Sequence, residues 1–146
     1  MAESHAILKY LAQKFDLPEQ WFPRKDLAKQ AKISEFLDFH HLNTRKCSYL
    51  AFHLLFAPIV KTGDPTFNKE WTYKVVNIAL KNFQEIYLKG KFVGGDSPCI
   101  GDLIAFYDIT MLEVLDFDFK KYNTIVRWLG DMRKIKEVVQ ADVKFQ

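Results

Sequence analysis

With 146 residues, 49% of them hydrophobic and 15% aromatic, the chain has the length and apolar content of one packed domain and is not a disordered segment. Its 21 basic and 18 acidic side chains give a net charge of +3 and are scattered along the sequence, so no basic block marks a nucleic-acid-binding surface. The most apolar run, Tyr49 to Val60, is interrupted by His53 and Pro58 and falls short of the about 20 helical residues that cross a bilayer.

A first helix is predicted from Ser4 to Phe15, with Ile7, Tyr10, Leu11 and Phe15 at helical spacing. Pro18 and Pro23 keep the next segment extended, because proline lacks an amide donor and biases its predecessor away from helix. Asp26 then caps a long helix with a stripe of Ile33, Phe36, Leu37, His40, Thr44, Cys47, Ala51, Leu54 and Leu55, stopped at Pro58. After the turn Thr62-Gly63-Asp64-Pro65, a third helix is expected from Phe67 to Lys89. Its inner face reads Trp71, Val75, Ile78, Ala79, Asn82, Phe83 and Ile86, and Gly90 suits a left-handed position after its end. Phe92 to Pro98 reads as a loop. Ile100 to Leu115 is apolar on nearly every side, the pattern of a buried central helix. A helix from Asn123 to Lys136 follows, then a short one carrying Val138, Val139, Val143 and Phe145. No strand-like alternation competes, and the fold class is all-α.

Cys47 and Cys99 form neither a CxxC pair nor a metal-ligand spacing, which fits a reducing compartment. The opening residues lack the basic and apolar regions of a signal peptide. A cytoplasmic protein is expected, an organelle matrix being the other compatible setting. His40 and His41 are adjacent, so they diverge by about 100° on a helix and cannot jointly hold a metal. No metal site is expected.

Three segments carry a family resemblance. Glu3-Ser4-His5-Ala6-Ile7-Leu8-Lys9-Tyr10-Leu11, followed by the two-proline stretch through Pro23, resembles the last helix of the thioredoxin-like domain of glutathione S-transferases and the connector to their helical second domain. His40-His41-Leu42-Asn43-Thr44-Arg45-Lys46-Cys47 and Cys99-Ile100-Gly101-Asp102-Leu103 are similar to segments of that second domain, with the theta class nearest in pattern. The resemblance implies a helical bundle around a buried central helix. It divides the chain into residues 1–25, the terminal thioredoxin-domain helix plus connector, and residues 26–146, the helical domain.

The same resemblance assigns roles. Glu3 and Ser4, which by themselves read as an ordinary N-cap, take the place of the acidic–serine pair that holds the γ-glutamyl end of glutathione. Arg45, otherwise a solvated helix charge, falls where a cation lines the electrophile pocket, with His40 and His41 nearby. Asp102, three residues after the cap position held here by Cys99, is structural: its carboxylate can return to the cap amide. Phe36, Phe39, Phe52, Phe56, Phe106 and Tyr107 read as core by spacing, with a pocket lining as the other reading.

Glutathione is implied as a co-substrate. The family's thiol-activating serine and cis-proline loop belong to the thioredoxin-like domain, and no residue here matches either, so no catalytic residue is assigned. Two functions are compatible with the pattern: the helical part of a theta-like transferase, inactive alone, or a non-catalytic interaction module. Either implies a protein partner or a homodimer. Ile7, Leu8 and Leu11 are expected to lie uncovered on the first helix, with Tyr10 and Phe15 docked.

Overall fold

The computed structural model describes residues 1–143. Phe145, expected in the last helix, lies outside them. Helix α1 spans Ser4–Lys14 and α2 spans Leu27–Leu42, the latter capped as expected by Asp26, whose carboxylate accepts the Lys29 amide at 2.9 Å.

The single helix expected from Asp26 to Pro58 is broken. At Asn43 the backbone leaves helical geometry (φ −118°, ψ −89°) while the Asn43 side chain donates to the Phe39 carbonyl at 2.9 Å. A side chain that bonds to backbone in this way competes with the helical ladder. Helix α3, Lys46–Ala51, starts afresh, so Arg45 stands at a bend and not within a continuous helix. A π-helical turn, Phe52–Phe56, follows, in which the Ala57 amide reaches back to the Phe52 carbonyl. Pro58 does not end the helix. It sits in the first turn of α4, Ala57–Val60, where a missing amide leaves no bond unmade, and left-handed Lys61 (φ 52°) closes the segment.

Helix α5, Lys69–Asn82, begins at Asn68, whose side chain accepts the Trp71 amide, and runs into a second π-turn, Phe83–Tyr87. Its expected inner face is buried at Ala79 and Phe83 but not at Trp71, Ile78 and Ile86. Thr72, Val76, Ala79, Leu80 and Phe83 are buried, while Trp71, Ile78 and Ile86 are 55%, 58% and 51% exposed. Two apolar stripes about 100° apart coexist on this helix, and periodicity cannot choose between them. Gly90 does not adopt the left-handed conformation; Gly95 does (φ +100°), in the turn closed by mutual backbone bonds between Phe92 and Gly95.

Helix α6, Ile100–Thr110, is the centre of the bundle, followed by a 3-10 turn, Glu113–Leu115, and by α7, Asn123–Met132, and α8, Lys136–Val143. Gly101 lets α6 lie against α2: a Cβ there would meet Phe36 Cδ1 at 2.8 Å. The main core gathers Phe36, Phe83, Phe106, Ile109 and Trp128. A second cluster joins Ala12 of α1 and Trp21 and Phe22 of the connector to Ile33, Leu37, Cys99 and Ile100. The Trp21 carbonyl also accepts the Ile100 amide at 2.9 Å. On α1, Leu11 is 37% exposed, Ile7 and Leu8 are half-buried, and Tyr10 and Phe15 are 44% and 62% exposed rather than docked. Phe15 falls past the helix end, where left-handed Asp16 turns the chain away.

Asp102 anchors the start of α6. Fully buried, it accepts from the Cys99 amide, the Val93 amide and Trp128 Nε1, each at 2.9 Å, and forms the capping box with Cys99. Burial pushes its carboxyl above the usual carboxylate range, although these donors pull the other way. Among the described residues no sheet forms, and no helix is long and apolar enough to cross a membrane.

Candidate functional site

The bend between α2 and α3 brings Arg45 beside the middle of α6. There Arg45, Tyr107 and Asp108 are shared by two adjoining cavities. The smaller, about 390 Å³, runs between α1 and α6 and is lined by Ser4, Leu8, Leu103 and Ile104. The larger, about 700 Å³, extends toward His41, Tyr49, Phe52 and Phe56. Leu103 and Ile104 of α6, partly buried against the core, also wall the smaller cavity.

Among the described residues, Arg24, Arg127 and Arg133 each pair with a carboxylate, and Arg45 has no such partner. An exposed guanidinium at the junction of two cavities, with an apolar wall on one side and the Ser4 end of α1 on the other, suits an amphiphilic anion.

Behind this junction runs a hydrogen-bonded chain. Asp108 Oδ2 lies 2.6 Å from His40 Nε2, and His40 Nδ1 lies 3.1 Å from His5 Nε2. His40 is fully buried with both ring nitrogens engaged, so it lines neither cavity, whereas His41 lines the larger. Burial, and then the nearby His40, His41, Arg45 and Lys9, hold the His5 imidazole below its ordinary value. Ser4 lines the smaller cavity; Glu3, at φ 62°, is exposed and lines neither. Cys99 and Asp102 lie in the core, apart from both cavities. Of the six aromatic residues read either way, Phe52, Phe56 and Tyr107 line the larger cavity, while Phe36 and Phe106 are core and Phe39 packs against it.

Sequence reasoning did not find Asp108 or His5. Asp108 did leave a signal: with Asp102 it is one of two charged residues in the otherwise uncharged run from Ile100 to Leu112. A second carboxylate six residues after a capping one needs a partner of its own, and His40 supplies it.

No protein-family model matches the chain. It is 28% identical to chicken (Gallus gallus) glutathione S-transferase theta-1 over 150 residues, covering 100% of this chain and 56% of that protein. It is 35% identical to Arabidopsis thaliana glutathione S-transferase T1 over 143 residues, covering 90% of this chain and 58% of the relative. The chain thus spans little more than half the length of these relatives. Among solved structures, human glutathione transferase theta-2 in complex with glutathione superposes with a TM-score of 0.82 at 23% identity, over 97% of this chain and 60% of that one. The apo form of human T1-1 gives 0.81 at 22% identity, over 97% of this chain and 61% of that one.

Proposed function

We propose that this chain, which carries a theta-class-like glutathione transferase fold over its whole length, supplies the helical part of a glutathione-conjugating site. Residues 1–25 are assigned as the terminal helix and connector of a thioredoxin-like domain, and residues 26–146 as the helical domain. The reaction class is attack of a glutathione thiolate on an electrophile: a carbon–sulfur bond forms, and the leaving group or epoxide oxygen takes the displaced electron pair. Thiol activation belongs to a thioredoxin-like domain acting with this chain, since none of these residues is assigned it.

The observation that carries the reading is the cavity junction at Arg45. A conjugate of glutathione has a charged peptide end and, on sulfur, an apolar substituent. Ser4, in the smaller cavity, is offered to the carboxylate of the γ-glutamyl end, exposed Glu3 beside it to the ammonium, and the Phe52–Phe56 wall to the substituent. Arg45 between them stabilises negative charge that develops where the thiolate and leaving group meet. Solution calorimetry with S-hexylglutathione tests this. Wild type should bind, and Arg45→Ala should weaken binding by about tenfold or more, the loss expected when a charged hydrogen-bond donor is removed. Equal affinity in wild type and variant sinks the assignment.

The second reading, an interaction module, is favoured by the outward stripe of Trp71 and Ile78 on α5 and Ile86 in the π-turn that continues it. Three large exposed apolar side chains in one stripe are a surface that a partner protein or a second copy would cover. This reading is compatible with the first.

A further inference from the structure

From the chain of contacts joining three helices, we infer that Asp108–His40–His5 is a proton-limited latch that positions the Ser4 end of α1 over the Arg45 cavity. The His5–His40 hydrogen bond joins the first turn of α1 to α2. Only Ala12, two turns further along, is buried on that helix. The first turn of α1 therefore has its polar tether at His5, next to the cavity-lining Ser4.

The chemistry of two linked imidazoles sets how many protons the latch tolerates. Asp108 is an acceptor, so His40 Nε2 must carry a hydrogen and donate to it. With both rings otherwise neutral, His5 Nε2–H donates to the lone pair on His40 Nδ1. With one proton added, His40 becomes an imidazolium facing the Asp108 carboxylate, its Nδ1–H donates, and His5 shifts its hydrogen to Nδ1 and accepts through Nε2. Both states keep every bond. A second proton gives two N–H groups pointing at each other, and the His5–His40 bond is lost.

The groups around the pair bias it against that second proton. Lys9 on α1, His41 on α2 and Arg45 at the start of α3 all oppose added charge on His5. Asp108 on α6 faces His40 Nε2 at 2.6 Å, and Cys47 on α3, its thiol pushed up by burial and by Asp108, stays neutral. The tether should therefore survive at neutral pH and fail under acid, freeing α1 and widening the smaller cavity. This inference does not depend on which ligand the cavity takes.

Amide hydrogen exchange followed by NMR tests it, with protection factors in residues 4–14 read against those in α6 as an internal reference, from about pH 8 to about pH 5. In wild type, protection of the α1 amides from Ile7 onward, which bond back to the first turn, should fall by about tenfold per pH unit once the second proton binds, the slope for one proton, while α6 holds. His5→Gln can either donate or accept at the same place without titrating, and should keep α1 protected across the range. Wild-type α1 protection that is flat with pH, or that falls in parallel with α6, would overturn the latch, as would an identical pH dependence in His5→Gln. The wild-type titration needs no variant and decides the outcome alone if His5→Gln fails to fold.

Discussion

Removing the Asp102 carboxylate should cost more than the loss of a helix cap. In Asp102→Ala three donors lose their acceptor at once: the Cys99 amide, the Val93 amide and Trp128 Nε1, all held at 2.9 Å by a side chain with no solvent exposure. A buried donor left unsatisfied costs about 1–3 kcal/mol, and a water entering the vacated space would recover part of that, which gives about 3–5 kcal/mol in all. Against a domain stability of about 5–15 kcal/mol this is a severe loss. Asp102→Asn should fall between, at about 1.5–3 kcal/mol: its carbonyl can serve Val93 and Trp128, but its NH₂ then faces the Cys99 amide. Urea denaturation of the three proteins measures this. The pH profile adds a signed check. Burial raises the folded-state pKa of Asp102 above the ordinary 3.8, so the folded state binds the proton more tightly than the unfolded. Wild-type stability therefore declines as pH climbs from 3.8 through that raised value, a component absent from Asp102→Asn. An Asp102→Ala protein within about 1 kcal/mol of wild type would refute the assignment of Asp102 as the anchor of α6.

Gly101→Ala places a methyl against buried Phe36 and should destabilise by about 1–3 kcal/mol in the same denaturation assay; an unchanged midpoint would contradict the close α2–α6 approach. On α5, Val76→Ala should cost about 1.5–3 kcal/mol and Ile78→Ser less than about 0.5 kcal/mol in the monomer, the reverse ranking being fatal to the observed facing. Asp64, held down to about 2 by the Thr66 hydroxyl and amide and the Tyr49 hydroxyl, steadies the turn before α5. Its contribution is complete above the ordinary 3.8 and lost as pH falls to about 2, so Thr66 amide protection should collapse in that window. A Thr66 amide equally protected at both ends of it would show that the carboxylate does not hold the turn.

The helical class, the connector, the Asp26 cap and the Asp102 capping position were all legible in sequence, because each rests on a local rule: periodicity, proline, or a side chain that returns to a nearby amide. The errors also have local causes. Asn43 interrupts the α2 pattern with a side-chain bond that propensity does not register, and that interruption moves Arg45 to a bend. Trp71 and Ile78 were misread as inward, beside correctly read Ala79 and Phe83, because Thr72 and Val76 are no more apolar than they are; the space beside α3 decides which stripe is covered. The Asp108–His40–His5 chain joins residues 68 and 35 positions apart, a separation at which one sequence gives no pairing signal. The cavities were invisible for the same reason, since their walls come from α1, the α2–α3 bend, the Phe52–Phe56 turn and α6.

The central claim is that one ligand bridges the two cavities across Arg45. Chemical-shift mapping of the labelled chain during titration with S-hexylglutathione tests it most directly. The account predicts that the perturbed amides cluster at Ser4, Leu8, Arg45, Phe52, Phe56 and Tyr107, with Trp71 to Ile86 unmoved and the titration midpoint raised by about tenfold or more in Arg45→Ala. Perturbation confined to the α5 stripe, or none at saturating conjugate, would contradict it.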